Sequence, residues 1–147
     1  MARMTAKRKT SRVNRAAVFT PAVASVYCRD LHQWPRSWMG LEKDLPPGEA
    51  LIVCFRPFIE HLAASGLSPK TIRQHVDNLW TLGGEIIRDL HYDPSLRKRP
   101  AERLLQEAVH EYGGPSVHNG SEEQQRSVDS TCKKLHRFLT QTKPPAP

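Results

Sequence analysis

The chain has 147 residues, enough for one domain that folds on its own apolar core without a disulfide or a structural metal. Its formal charge is +7, yet residues 1–15 hold six basic residues and no acid, which leaves sixteen basic and fifteen acidic residues for the remainder. The basic character therefore belongs to an arm. Such an arm suits a polyanion through counterion release, and it equally suits a solubilising tail.

Residues 1–15 read as a disordered basic arm carrying Lys7, Arg8 and Lys9, and 142–147 as a disordered Pro-rich tail. The stretch 16–46 reads as irregular. A short helix fits Ala22–Leu31, while Trp34-Pro35 and Leu45-Pro46-Pro47 are expected to interrupt regular structure. Trp34, Trp38, Met39 and Leu41 are expected to pack on the body as an extended lid, the sharper alternative being an exposed partner-binding strip.

Helical grammar begins after Pro47. Leu51, Ile52, Phe55, Phe58, Ile59 and Leu62 recur every three or four residues, which predicts an amphipathic helix over 49–65, kinked at Pro57 and closed by Gly66. Ser68 suits an N-cap, Pro69 the first helical position, and Leu67 with Ile72 a hydrophobic staple. One stripe then runs from Ile72 through Leu79 and Ile86 to Leu90, so a single helix should cross Gly83-Gly84. Close approach of a neighbour would justify two glycines there. A turn at Asp93-Pro94 leads to Arg97-Lys98-Arg99. Pro100 opens a third helix carrying Leu104, Leu105, Ala108, Val109 and Tyr112, and Gly113-Gly114-Pro115 stops it. Ser121 caps a fourth, with Glu122 and Glu123 matching the helix dipole and Val128, Thr131, Cys132, Leu135, Phe138 and Leu139 on its apolar stripe. The fold class is all-α, a compact bundle of four main helices over 47–141.

The chemistry of these patterns favours binding over catalysis. The polar front of the second helix carries Lys70, Arg73, Gln74, Asp77, Asn78 and Thr81. Arg pairs with guanine, Gln and Asn pair with adenine, and Lys serves phosphates, which is how a helix reads a major groove. Thr71 and the first-turn N–H groups could hold a phosphate, and Arg97, Lys98 and Arg99 could clamp the backbone further along. A charged outer face can also serve solubility alone, and Asp77 would repel phosphate. His61, His75 and His110 read as boundary packing residues and Trp80 as core. No Gly-rich phosphate loop, GxSxG or HExxH occurs, so no catalytic residue and no cofactor is assigned. Cys28-x3-His32 and Cys132-x3-His136 lack the CxxC that would make a zinc reading specific, so no metal is assigned either. Three scattered cysteines argue against a disulfide framework and fit a reducing compartment. The apolar run after the arm is broken by Thr20, Pro21 and Ser25, and nothing approaches the ~20 residues that span a bilayer. The expectation is a cytoplasmic protein of the bacterial cytosol or nucleoid with no membrane partner.

The segment FIEHLAASGLSPKTIRQHVDNLWTLGGEII, residues 58–87, resembles the N-terminal core-binding domain of tyrosine recombinases and phage integrases. The matching positions are Phe58, Ile59, Leu62, Gly66, Leu67, Ser68, Pro69, Thr71, Ile72, Leu79 and Leu82. Part of the same run also resembles the recognition helix of response-regulator helix-turn-helix domains. The integrase resemblance implies a small SAM-like helical bundle that clamps double-stranded DNA opposite a catalytic domain. Here 56 residues follow His91, too few for that domain, and Tyr92 and Tyr112 have no matching Arg/His set. Strand transfer is therefore not carried over. The implied role is a non-catalytic DNA-binding module of a mobile element, an accessory or regulatory factor or a relic, with a recombinase as a further partner. The competing reading is a protein-interaction module that uses the Trp34/Trp38 strip or a bundle groove.

Overall fold

The structure is a computed structural model describing residues 26–142, so the basic arm, including Lys7, Arg8 and Lys9, and the tail after Thr142 lie outside the described residues. Within them the chain is all-α. Five helices pack together: α1 (Trp34–Trp38), α2 (Leu45–Ala63), α3 (Pro69–Tyr92), α4 (Ala101–Ala108) and α5 (Glu122–Thr142). Three 3-10 turns, Leu31–Gln33, Glu42–Asp44 and Pro94–Lys98, join them.

The two central helices, α2 and α3, supply most of the core. Leu51, Phe55, Phe58, Ile59 and Leu62 of α2 meet Ile72, Val76, Leu79, Leu82, Ile87 and Leu90 of α3, all buried. Burying such a side chain contributes roughly 1.5–3 kcal/mol, which makes this pair the main apolar contact of the fold. α4 closes one flank of α2 with Leu104 and Leu105. α5 closes α3 with Val128, Cys132 and Leu135.

Local signals explain the helix ends. Ser68 lies in extended backbone, and its hydroxyl accepts the Thr71 N–H at 3.2 Å, satisfying a first-turn donor. Pro69 follows at N1. Gly66 has φ +86°, a conformation that favours glycine, and lets the chain reverse between α2 and α3. Gln124 N–H donates to Ser121 Oγ at 3.0 Å, the expected start of α5.

Three sequence expectations need correction. From residue 26 onward the N-terminal segment is not irregular but built of short helical pieces, and α2 begins at Leu45 rather than 49. The prolines expected to break it, Pro35, Pro46 and Pro47, sit in first turns, where a missing N–H costs no helical bond. α2 continues through Pro57 to Ala63, one helix across that proline as expected. The third correction concerns α4, which ends at Ala108 instead of continuing to Tyr112. Val109 turns to extended backbone, keeping its side chain buried, while His110 and Gly113 exchange backbone bonds of 2.9 and 3.1 Å and Tyr112 is 76% exposed.

α3 does cross Gly83-Gly84 unbroken, and the close neighbour is α1. The Trp38 indole lies flat against these glycines, and its Nε1 donates to the Trp80 carbonyl at 2.9 Å. A methyl on Gly83 would overlap the six-membered ring of Trp38, whereas one on Gly84 would sit 3.4 Å from Trp38 Cδ1. Gly83→Ala should therefore cost about 1–3 kcal/mol through overpacking, and Gly84→Ala should be neutral or gain up to about 1 kcal/mol of helix propensity. Urea unfolding of the two variants checks this contrast.

Candidate nucleic-acid interface

The polar front expected on α3 is divided among three fates. Its inner edge is buried under α5. Asn78, 5% exposed, donates through Nδ2 to Ser127 O at 3.0 Å, Ser127 Oγ at 2.9 Å and Thr131 Oγ1 at 2.9 Å. Asn78 is thus a structural residue and cannot reach a base. Its position on the wheel borders the apolar stripe, and α5 extends the buried zone past that border. His75 lies one turn earlier, buried, with Nδ1 2.7 Å from Thr131 Oγ1. Burial first, and then the charge of Lys134, lowers its pKa and keeps the ring neutral. The Thr131 hydroxyl oxygen thus joins the two α3 side chains, accepting from Asn78 and lying within hydrogen-bond distance of His75 Nδ1.

The opposite edge meets the N-terminal segment. The Arg73 guanidinium carbon lies 5.9 Å from the Tyr27 ring centroid, although the residue is exposed. Asp77 is exposed, its pKa raised by burial and then by the neighbouring Asp30. Between these edges, Gln74 donates to Ser127 Oγ at 3.4 Å and the Thr81 hydroxyl turns back to the Asp77 carbonyl at 3.5 Å. Thr71 is half-buried, its N–H and hydroxyl engaged by the Ser68 cap. Lys70, like Asp77, is exposed and makes no side-chain hydrogen bond or ion pair among the described residues. The helix front is thus bordered by α5 on one edge and the N-terminal segment on the other, with Lys70, Arg73, Gln74 and Asp77 exposed between them.

Of the 97–99 cluster, Arg97 is committed inside the protein and Arg99 is paired at the surface. Arg97 bonds Asp44 Oδ1 at 2.7 Å and the Lys43 carbonyl at 3.3 Å, with its side chain 17% exposed. Arg99 pairs with Glu107, which also holds Arg103 at 3.3 Å. Only Lys98 remains exposed and unpaired among the described residues. Arg97 of the expected backbone clamp is therefore a structural tie between the turn before α2 and the turn after α3, a pairing hidden by its long sequence separation.

The structure assembles a different cationic group. Asn78 opposite Ser127 and His75 opposite Thr131 fix α5 antiparallel to α3, so one turn further the start of α3 comes level with Lys134 and Arg137. Phe138 then packs on Phe58 at 5.5 Å and on His61 at 4.9 Å, closing the same end onto α2. Lys70, Lys133, Lys134 and Arg137 make no ion pair among the described residues, and no acid follows Asp129 in α5. Lys133, Lys134 and Arg137 were not singled out in the sequence, although the run Lys-Lys-x-x-Arg is legible there. Their meaning depends on the pairing of α5 with α3.

The tryptophans are redistributed too. Trp34 is core, 4% exposed, and stacks edgewise on Phe55, which removes it from any exposed strip. Trp80, expected in the core, is 43% exposed and donates to Ser37 Oγ at 2.9 Å. It borders a shallow groove of about 290 Å³ between α1 and the start of α5, floored by Thr81, Gly84 and Arg88. Among the described residues no three His, Cys, Asp or Glu side chains gather to hold a metal ion, and no helix is long and apolar enough to cross a membrane. Cys28, buried and donating to Asp30, has its pKa pushed up to about 12 by burial and then by Asp30, an inert thiol.

No protein-family model, curated protein or solved structure matches the chain.

Asp44 is the charged residue most deeply placed, 1% exposed, bonded to the N–H groups of Gly40 and Leu41, to Arg97 and to His91 Nε2 at 2.8 Å. Burial opposes its charge, but the Leu41 N–H, Arg97, the Gly40 N–H and His91 outweigh it and hold the carboxyl well below the usual range. A depressed carboxylate stabilises the fold above its unfolded pKa of about 3.9, and that stabilisation fades as pH falls toward the folded value. Asp44→Asn should cost about 2–3 kcal/mol at pH 7, and the gap to wild type should narrow as pH falls from about 5 to 2. Thermal melts across that range check both statements.

Proposed function

We propose that this protein is a non-catalytic, cytoplasmic DNA-binding helical module that holds the duplex by its phosphates at the α3–α5 end of the bundle, with little base readout. The observation that carries the reading is that Lys70, Lys133, Lys134 and Arg137 fall toward one end of the bundle with no ion pair among the described residues and with no acid after Asp129 in α5, whereas Arg97 and Arg99 are paired with Asp44 and Glu107. Phosphate contacts of this kind position a protein on a duplex without reading its sequence. The basic arm adds Lys7, Arg8 and Lys9 to the same electrostatic footprint. The integrase-like run supports the reading in a limited way: residues 58–87 fall on the end of α2, the Gly66 turn and α3, as in a core-binding domain. Arg73 and Gln74 lie on the rim and serve as secondary contacts. An accessory role beside a recombinase of a mobile element is consistent with this assignment.

A second reading, a protein-interaction module, is favoured by one observation, the exposed Trp80 beside the groove of Thr81, Gly84 and Arg88. Exposed tryptophans anchor interfaces.

Gel retardation of a short duplex over a salt series separates the two. The DNA reading expects binding at low salt, with log affinity falling steeply as log salt rises. Lys70→Ala, Lys134→Ala and Arg137→Ala should each weaken binding and flatten that slope by about 1, while Arg99→Ala leaves it nearly unchanged. Failure to retain duplex at low salt, or equal sensitivity to Arg99→Ala, would count against the assignment.

A further inference from the structure

Trp80 is an exposed ring tied in place by α1. Its Nε1 donates to Ser37 Oγ at 2.9 Å, and Trp38 Nε1 donates to the Trp80 carbonyl at 2.9 Å. Both indole N–H groups are satisfied inside the protein, so Trp80 offers a partner apolar ring surface rather than a donor. Open space adjoins that ring. The groove of about 290 Å³ beside it has Val117 and His118 of the loop before α5 among its other walls. A second groove, of about 390 Å³, is lined by Met39 and Tyr92 as well. Trp38, Gly84 and Arg88 line both, which makes them one continuous double groove. Trp80 stands in one half, the 76% exposed Tyr92 stands in the other, and Arg88 is common to both.

The charges lining the double groove are unequal. Glu85, its one acid, has a side chain only 12% exposed, and its Oε2 accepts the His118 N–H at 3.0 Å. His91 is engaged by Asp44. The Arg88 side chain is 42% exposed, and its one ion pair among the described residues is a 3.6 Å approach of Nε to Glu85. Trp and Arg carry much of the energy at interfaces, and a guanidinium is best met by a carboxylate in two parallel bonds. We infer that the double groove docks a segment of a partner protein that lays an apolar or aromatic side chain on Trp80 and a carboxylate on Arg88. Charge disfavours the other occupants. Neither 1–25 nor 143–147 of this chain contains an acidic side chain to meet Arg88. A second copy across a two-fold axis at this groove would bring Arg88 toward its own counterpart. A duplex would gain one phosphate contact from it. The inference rests on the protein-interaction reading of Trp80.

The test is selection of a random dodecapeptide phage library on the immobilised full-length protein, followed by anisotropy titration of the enriched peptide. The enriched sequences should share an acidic residue close to an aromatic or branched aliphatic one. Trp80→Ala should weaken the peptide about thirtyfold, and Arg88→Gln about tenfold. Replacing the peptide carboxylate by its amide should cost about tenfold against wild type and nothing further against Arg88→Gln, a cycle that does not depend on how well Trp80→Ala folds. Arg99→Ala should stay within about twofold of wild type. Enriched peptides without an acid, or a carboxylate whose loss is felt equally by wild type and Arg88→Gln, overturn the inference. Peptides that bind Trp80→Ala and Arg88→Gln as well as wild type overturn this site and leave the interaction reading standing. A dimer in sedimentation that Trp80→Ala dissolves assigns the groove to a second copy and overturns the inference too. No enrichment above the bare support overturns the interaction reading and the inference together.

Discussion

The arrangement of this protein depends on the buried polar seam between α3 and α5. His75, Asn78, Ser127 and Thr131 bond one another inside an otherwise apolar contact. Apolar side chains tolerate sliding, because one leucine contact resembles the next. A buried amide does not, since each donor left without a partner costs about 1–3 kcal/mol. The seam therefore allows one register, and that register determines which side chains share the end of the bundle. Sliding α5 by a turn would separate Lys134 and Arg137 from the start of α3 and lift Phe138 from Phe58 and His61. Stability and the candidate binding surface thus share one cause.

A second tie secures the far side. Asp44 gathers Gly40, Leu41, His91 and Arg97, which binds the turn before α2 to the end of α3 and the turn after it. With Trp38 laid on Gly83 and Gly84, this makes the segment from residue 31 onward part of the bundle. Both features take side chains that look functional in one dimension, Arg97 and the tryptophans, and commit them to structure. Lys70, Lys133, Lys134 and Arg137, which make no ion pair among the described residues, lie toward the opposite end.

How much of this could be read beforehand depends on the distance over which each feature is decided. The Ser68 cap, the positive-φ Gly66 and the apolar stripes of α2, α3 and α5 are local, and they were legible in the order of residues. The glycine pair announced a close neighbour without naming Trp38. Asn78 was misjudged because its place on the helix wheel is a border, and only the width of the neighbouring helix decides which side of the border is dry. Arg97 was misjudged because its partner lies 53 positions away. Trp80 was misjudged because a ring next to a core residue can tilt outward when a hydroxyl, here Ser37, offers its indole a bond. The cationic end was missed for the same reason as Asn78: its residues come from α3 and α5, and their meeting is a property of the seam.

The account is tested most directly by titrating isotope-labelled protein with a short duplex while following backbone amide chemical shifts. It predicts perturbations concentrated at 68–73 and 133–138, with 94–108 nearly still. Shifts centred on 94–108 or around Trp80 and Arg88, or no shifts at low salt, would contradict it.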